Sequence, residues 1–194
     1  MSELKKCLNE KDFNSSVPEL LEIIAQGRRL VQEYNQVPAT NSDLKQRILK
    51  NLLGELGHNV HIDTPFYCDY GRHIFIGNHV IIGMNCTFVD NNHIRIGDYT
   101  MIAPDVKLYT ATHPLAAAER IRSDWDDRNS GNFYHTSAHP IAIGKKAWIG
   151  GGVTILPGVT IGDECVIGAG SVVNKDIPPG SLAAGNPCKV IRKL

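Results

Sequence analysis

A period of six constrains this chain more than any other feature. In "IGKKAWIGGGVTILPGVTIGDECVIGAGSVV" the aliphatics Ile143, Ile149, Ile155, Ile161, Ile167 and Val173 fall six residues apart without an error. Four positions after each of the first five stands a small or β-branched residue: Ala147, Val153, Val159, Cys165 and Ser171. The earlier half has the same grammar in Ile76, Ile82 and Phe88, and resumes after a two-residue slip with Ile96, Ile102 and Leu108. An α-helix cannot use this spacing, because six residues turn ~600° and the stripe would wander around its surface. Three short strands joined by tight turns can use it. Three hexads then make one triangular coil, with every sixth side chain inward and glycine relieving the corners. Coils stack ~4.7–4.9 Å apart, so each inward side chain meets its equivalent three hexads away. The fold class expected is mainly β: a parallel β-helical solenoid in which each coil buries its apolar face against its neighbours.

Residues 1–57 follow a helical period instead. "VPELLEIIAQGRRLVQEYNQVP" sets Leu20, Ile23, Ile24, Leu30, Val31 and Tyr34 on a spacing near 3.6, with Pro18 in the first turn and Pro38 as a stop. In "NSDLKQRILKNLLGEL", Asn41 to Asp43 supply capping residues, and Leu44, Ile48, Leu52 and Leu56 form one stripe. Helices this short need a surface to pack on, and they are expected to cover part of the solenoid. The expected organisation is a helical segment over 1–57 and a β-helix over 58–194.

Composition excludes some functions. Twenty basic and twenty acidic side chains balance, which removes the broad positive surface needed for nucleic acid or anionic lipid. No apolar run nears the ~20 residues that cross a bilayer, and "MSELKKCLNEKDF" lacks the apolar core of a signal peptide. Five scattered cysteines suit a reducing compartment, so a cytoplasmic location is expected. Cys86 and Cys165 occupy the small-residue slot of the repeat, and Cys7, Cys68 and Cys188 lack metal-ligand spacing. No metal site is expected.

The repeat breaks after "LYTATHPL". Residues 114–140 are polar, flanked by His-Pro at both ends, and long for a structureless loop, a class that is usually functional or disordered. The pattern resumes in phase at Ile141–Ile143, so the loop is expected to project from one corner while the core continues. His113, at the break, is either a corner histidine bonded to backbone or a chemical group.

In order along the chain, "FNSSVPEL", "PFYCDYG", "NCTFVDN", "YTATHPL", "WIGGGVTILPGVTIGD", "VIGAGSVVNKDIPPG" and "AGNPCKVIR" resemble the maltose/galactoside O-acetyltransferase group of the hexapeptide-repeat acyltransferases. The resemblance implies a left-handed parallel β-helix assembled as a homotrimer, with active sites between subunits and the loop reaching a neighbour. It also implies transfer of acetyl from acetyl-CoA to a sugar hydroxyl, with His113 as general base. Such chemistry suits imidazole: a hydroxyl must lose its proton as it attacks a thioester, and imidazole has a reference pKa of ~6.5.

On the donor side the resemblance implies Trp148, Gly151, Ala169, Asn174 and Lys175 along the pantetheine arm, and Lys189 and Arg192 near the nucleotide phosphates. Trp148 alone reads equally as a large residue on an outer face. Some relatives carry serine at the position of Gly151, so here only the backbone amide is available to an oxyanion. On the acceptor side the implied residues are Asn85, Asp90 and Asn91, with an amino-terminal acid matching either Asp12 or Asn14. Ile81 and Gly83 depart from the galactoside pattern. The long loop adds Asp124, Trp125, Asp126, Asp127 and Tyr134 as contacts for an acceptor or a neighbouring subunit.

Two other functions compete. A hydratase of the γ-carbonic-anhydrase type needs three histidines converging on zinc, and His73 and His79, six apart, could stack on one face. A non-catalytic scaffold would use the repeat alone.

Overall fold

The computed structural model describes residues 1–126, 128 and 131–194. Its body is a parallel β-helix of three faces. The first carries Glu55–Leu56, Ile74–Ile76, Ile94–Ile96, Ile141–Ile143 and Thr160–Ile161. The second carries His61–Ile62, Ile81–Ile82, Met101–Ile102, Trp148–Ile149, Val166–Ile167 and Ser181–Ala184, closed by the antiparallel strand Lys189–Lys193. The third carries Phe66–Cys68, Cys86–Val89, Lys107–Tyr109, Thr154–Ile155 and Val172–Val173.

The hexad residues form the core, and none is more than 3% exposed. Ile143 pairs with Ile161, Ile149 with Ile167 and Ile155 with Val173, which is the three-hexad register. In the earlier coils Ile76 pairs with Ile96, Ile82 with Ile102 and Phe88 with Leu108. The two-residue slip therefore enlarges a whole coil, and it falls at the corner between the third and first faces, between Phe88 and Ile96.

Three helices cover the amino-terminal end: α1 (Glu3–Leu8), α2 (Pro18–Gln36) and α3 (Ser42–Leu52). Pro18 opens α2, and Asn41 caps α3 by accepting from the Leu44 amide at 3.3 Å. The stripe expected to end at Leu56 ends at Leu52. Leu56 belongs to the first strand, where its backbone pairs with Ile76, so the solenoid begins before residue 58. A first coil exposes unpaired backbone, and the helices satisfy it. Tyr34 Oη donates to Ile62 O at 2.5 Å, Gln46 Nε2 to Val60 O at 2.9 Å, and Asn35 bonds both N and O of Phe66.

The break at 114–140 has structure of its own. Ala111–Thr112 pairs antiparallel with Ser137–Ala138, closing the base, and α4 (Ala117–Arg120) lies within. The core resumes in phase, Ile141 against Ile94 and Ile143 against Ile96. Asp127 lies outside the described residues.

All five cysteines are buried. Burial pushes the thiols of Cys7 and Cys86 up to about 12 and about 11, so both remain unreactive thiols near neutral pH.

Candidate active site

His113 stands where the third face gives way to the loop. Its ring is exposed and meets the loop at His135 and Tyr134. Nδ1 lies 2.9 Å from the carbonyl of His135, and the ring meets Tyr134 edge-on at a centroid distance of 5.1 Å. A carbonyl only accepts, so Nδ1 carries the proton; in the neutral ring Nε2 then holds the lone pair. This is the tautomer a base acting through Nε2 requires.

The residues supporting His113 come from three parts of the chain. Buried Asn92, at the enlarged corner, donates to Cys7 O at 3.1 Å and Ala138 O at 2.8 Å, docking α1 beneath the loop. Asp12 accepts from Arg122 Nη2 at 2.8 Å, His135 Nδ1 at 2.9 Å and the Thr136 amide at 3.0 Å. Burial alone would raise the Asp12 pKa, but those three donors outweigh it and hold the carboxyl below the usual range. Asn14 instead accepts locally from the Ser16 amide at 3.0 Å. Asn92 and His135 carry no motif and escape a sequence reading.

The expected acceptor residues divide. Asn85 is exposed, with a left-handed backbone (φ 61°), and its amide bonds Asp105. Asn91 is half-buried, 3.4 Å from Tyr70 Oη. Asp90 must be corrected. It is fully buried, and Oδ1 accepts from the amides of Asp69 at 3.0 Å and Tyr70 at 2.9 Å, so it braces the corner and is closed to an acceptor.

Asp90 also sets a pH dependence. Burial, reinforced by the Asp69 charge, outweighs its backbone bonds and pushes its carboxyl up to about 7. Burial pushes neighbouring His73, bonded to Asp90 O at 2.8 Å, down to about 4. The two shifts oppose each other. The Asp90 contribution is complete below the unfolded value of 3.8 and disappears as pH rises through about 7. The His73 contribution is complete above 6.5 and disappears as pH falls towards about 4. In Asp90→Asn the His73 contribution is unopposed, so acidification from pH 7 to 4 should cost the variant ~2–3 kcal/mol more than the parent. Urea midpoints across that range measure it, and parallel curves would contradict it.

The donor residues occupy different edges. Trp148 is 52% exposed on the second face, paired between Met101 and Val166. Gly151 and Ala169 lie at the corner between the second and third faces, one coil apart. Asn174 and Lys175 follow Val172–Val173 and share the third-to-first corner with His113. Lys189 and Arg192 lie on the closing strand, exposed.

The three successive glycines differ in what demands them. At Gly150 a Cβ would lie 2.6 Å from Ala169 N, and Gly152 has φ +68°, whereas at Gly151 it would meet only Pro104 O at 3.4 Å. Coil stacking explains Gly150 and the turn explains Gly152; the fold does not require glycine at 151. The amides of Gly150 and Gly152 donate to Ile167 O at 2.8 Å and Pro104 O at 3.0 Å. The Gly151 amide has no such partner among the described residues.

His73 and His79 do not share a face: six residues are one side of the triangle. His73 is buried, stacked on Tyr70 at the third-to-first corner, and His79 stacks on Tyr99 at the first-to-second corner. Among the described residues no three His, Cys, Asp or Glu side chains group to hold a metal ion.

Comparison with known proteins agrees with this architecture. Residues 6–57 match the maltose acetyltransferase hexapeptide capping motif, and residues 140–175 the bacterial transferase hexapeptide (six repeats). The galactoside O-acetyltransferase of Escherichia coli is 40% identical over 168 residues, covering 87% of this chain and 77% of that protein. This chain belongs to the maltose/galactoside O-acetyltransferase family of hexapeptide-repeat acetyltransferases. The crystal structure of a maltose O-acetyltransferase from Clostridium difficile superposes on the acetyltransferase with a TM-score of 0.90 at 38% identity, covering 100% and 98% of the two chains. A hexapeptide-repeat acetyltransferase from Vibrio cholerae, complexed with acetyl coenzyme A, gives 0.87 at 38% identity, covering 100% and 99%. The capping motif runs from the second half of α1 through α3, so the family's amino-terminal signature overlaps the helices that close the first coil and reach Asn92. Among the described residues no helix is long and apolar enough to cross a membrane.

Proposed function

We propose that this acetyltransferase moves acetyl from acetyl-CoA to a hydroxyl of a sugar, with His113 as general base, in sites shared between subunits of a homotrimer. The observation that carries this reading is the tie from His113 Nδ1 to the His135 carbonyl, which leaves Nε2 as the basic nitrogen. Nε2 takes the hydroxyl proton as the oxygen attacks the thioester carbonyl. The C–O bond forms, the Gly151 amide receives the oxyanion, and the C–S bond then breaks. The imidazolium returns its proton to the departing CoA thiolate.

The edges support a shared site. His113, Asn174 and Lys175 line one edge of the triangle, and Asn85, Gly151 and Ala169 line another. One side of about six residues separates them, roughly 20 Å at ~3.3 Å per residue, whereas reacting groups must approach to ~3–3.5 Å. A second copy brings the unlike edges together, and a head-to-tail contact across a triangular section closes as a ring of three.

Thiol release from acetyl-CoA, assayed with maltose, glucose and a galactoside, tests the reading: release should depend on a sugar, and release indifferent to every acceptor would contradict it. Lys175→Ala and Arg192→Ala should each raise the apparent KM for acetyl-CoA roughly three- to tenfold with little change in kcat. An unchanged KM in both would remove these cations from the donor site.

A further inference from the structure

His113 is exposed and stands on a loop, so no core packing sets its ring. Its direction depends on where the segment Tyr134–Thr136 is held. Within the loop that segment pairs with the opposite arm: His135 N donates to Arg120 O at 2.8 Å and Arg122 N to Phe133 O at 2.9 Å. At its base the second arm is tied to the coil, where Ser137–Ala138 pairs with Ala111–Thr112 and Thr136 Oγ1 donates to Thr112 O at 3.1 Å. The ties that join both arms at the level of His135 come from the amino-terminal segment. Asp12 reaches one arm through Arg122 and the other through His135 and Thr136, and the Phe13 amide donates to Thr136 O at 3.1 Å. Oδ2 of Asp12 holds the ring of the very residue whose carbonyl holds His113.

We propose that Asp12 is a positioning residue for His113, acting through His135 to hold the carbonyl that fixes the tautomer and direction of the catalytic imidazole. This rests on the general-base reading above. It gives Asp12 work on the protein side of the site, at a carboxylate whose oxygens are already engaged by three protein donors. Charge-assisted bonds of this kind are stronger and more directional than neutral ones. Small misplacement of a catalytic group costs up to ~10²-fold in rate.

The test uses the full chain and two readouts. The first is kcat for acetyl transfer in Asp12→Ala, His135→Ala, His135→Asn and the double alanine variant. Asp12→Ala and His135→Ala should each lower kcat ~10–10²-fold with the acetyl-CoA KM unchanged. His135→Asn should retain most activity, because its side-chain amide places an N–H where His135 Nδ1–H now meets Asp12. The double variant should be little worse than either single one, since both break the same link. The second readout is the nitrogen NMR spectrum of the His113 ring, which reports the tautomer without substrate. The parent should show one form, protonated at Nδ1; Asp12→Ala should show a mixture. Asp12→Asn serves as the milder variant should the alanine form fail to fold.

Parent-like kcat in Asp12→Ala would overturn the proposal. So would a lower kcat with an unaltered His113 spectrum, since Asp12 would then act by another route. His113→Ala, assayed alongside, separates the two readings: full activity there would end the general-base assignment, while the ring spectrum still judges Asp12.

Discussion

His113→Ala is expected to reduce acetyl transfer by ~10²–10⁴-fold, the range that a positioned general base supplies. The rest of the protein should barely respond. The ring is exposed, and among the described residues it bonds the His135 carbonyl and meets the edge of Tyr134. Its removal opens no core cavity, so the thermal midpoint should stay within a degree or two of the parent (surface changes cost ~0.5 kcal/mol or less). Of the donor residues only Asn174 and Lys175 share its corner, and the substitution leaves both in place, so the acetyl-CoA KM should also hold. A collapse of kcat with stability and donor KM intact separates a chemical role from a structural one. Parent-like turnover would return His113 to the bland alternative, a corner histidine bonded to backbone.

The β-helix was legible because its constraint is periodic. A single inward position recurs at every sixth residue, and no other regular structure satisfies that spacing, so Ile143 to Val173 declare their partners before any coordinates exist. The two-residue slip was visible in the letters, but not its meaning. Only the pairing of Phe88 with Leu108 shows a whole coil enlarged at one corner. The loop's break was legible as a loss of phase. Its internal order was not, because the antiparallel closure of Ala111–Thr112 on Ser137–Ala138 spans partners far apart in the chain and has no period.

Leu56 continued the helical stripe in the sequence, yet strand pairing with Ile76 outweighs a four-residue repeat once the first coil is present. Around the site, sequence supplied residue types but not their surroundings. Asp90 and Asn91 are adjacent and equally polar in one dimension. In the fold one is sealed under the corner and the other half-exposed, because alternate side chains leave a strand end on opposite sides. His135 was one more histidine in a polar stretch. Its importance lies in its backbone carbonyl, which no side-chain pattern records. The glycines of "WIGGGV" looked alike until the space around each separated the two that the fold requires from Gly151, which it does not.

The second large effect concerns the sharing of sites. Two variants, each inactive alone, should restore activity to one another when they assemble together. His113→Ala disables the third-to-first edge. Gly151→Trp should disable the second-to-third edge by filling the donor channel. The coil backbone does not bar a side chain here, since a Cβ at this position meets only Pro104 O at 3.4 Å, and thermal melting of the variant checks that it folds. The two chains, co-expressed with different tags and purified through both, give rings that contain each variant. In such a ring of three, about one site in three joins an intact His113 edge to an intact Gly151 edge, whichever variant is in the majority. The thiol-release rate of doubly purified rings therefore reads whether sites are shared. About a third of parental turnover is expected from two proteins that are each nearly silent. Mixed rings as silent as either variant alone would show that one chain's two edges never meet another's, and would contradict the shared site.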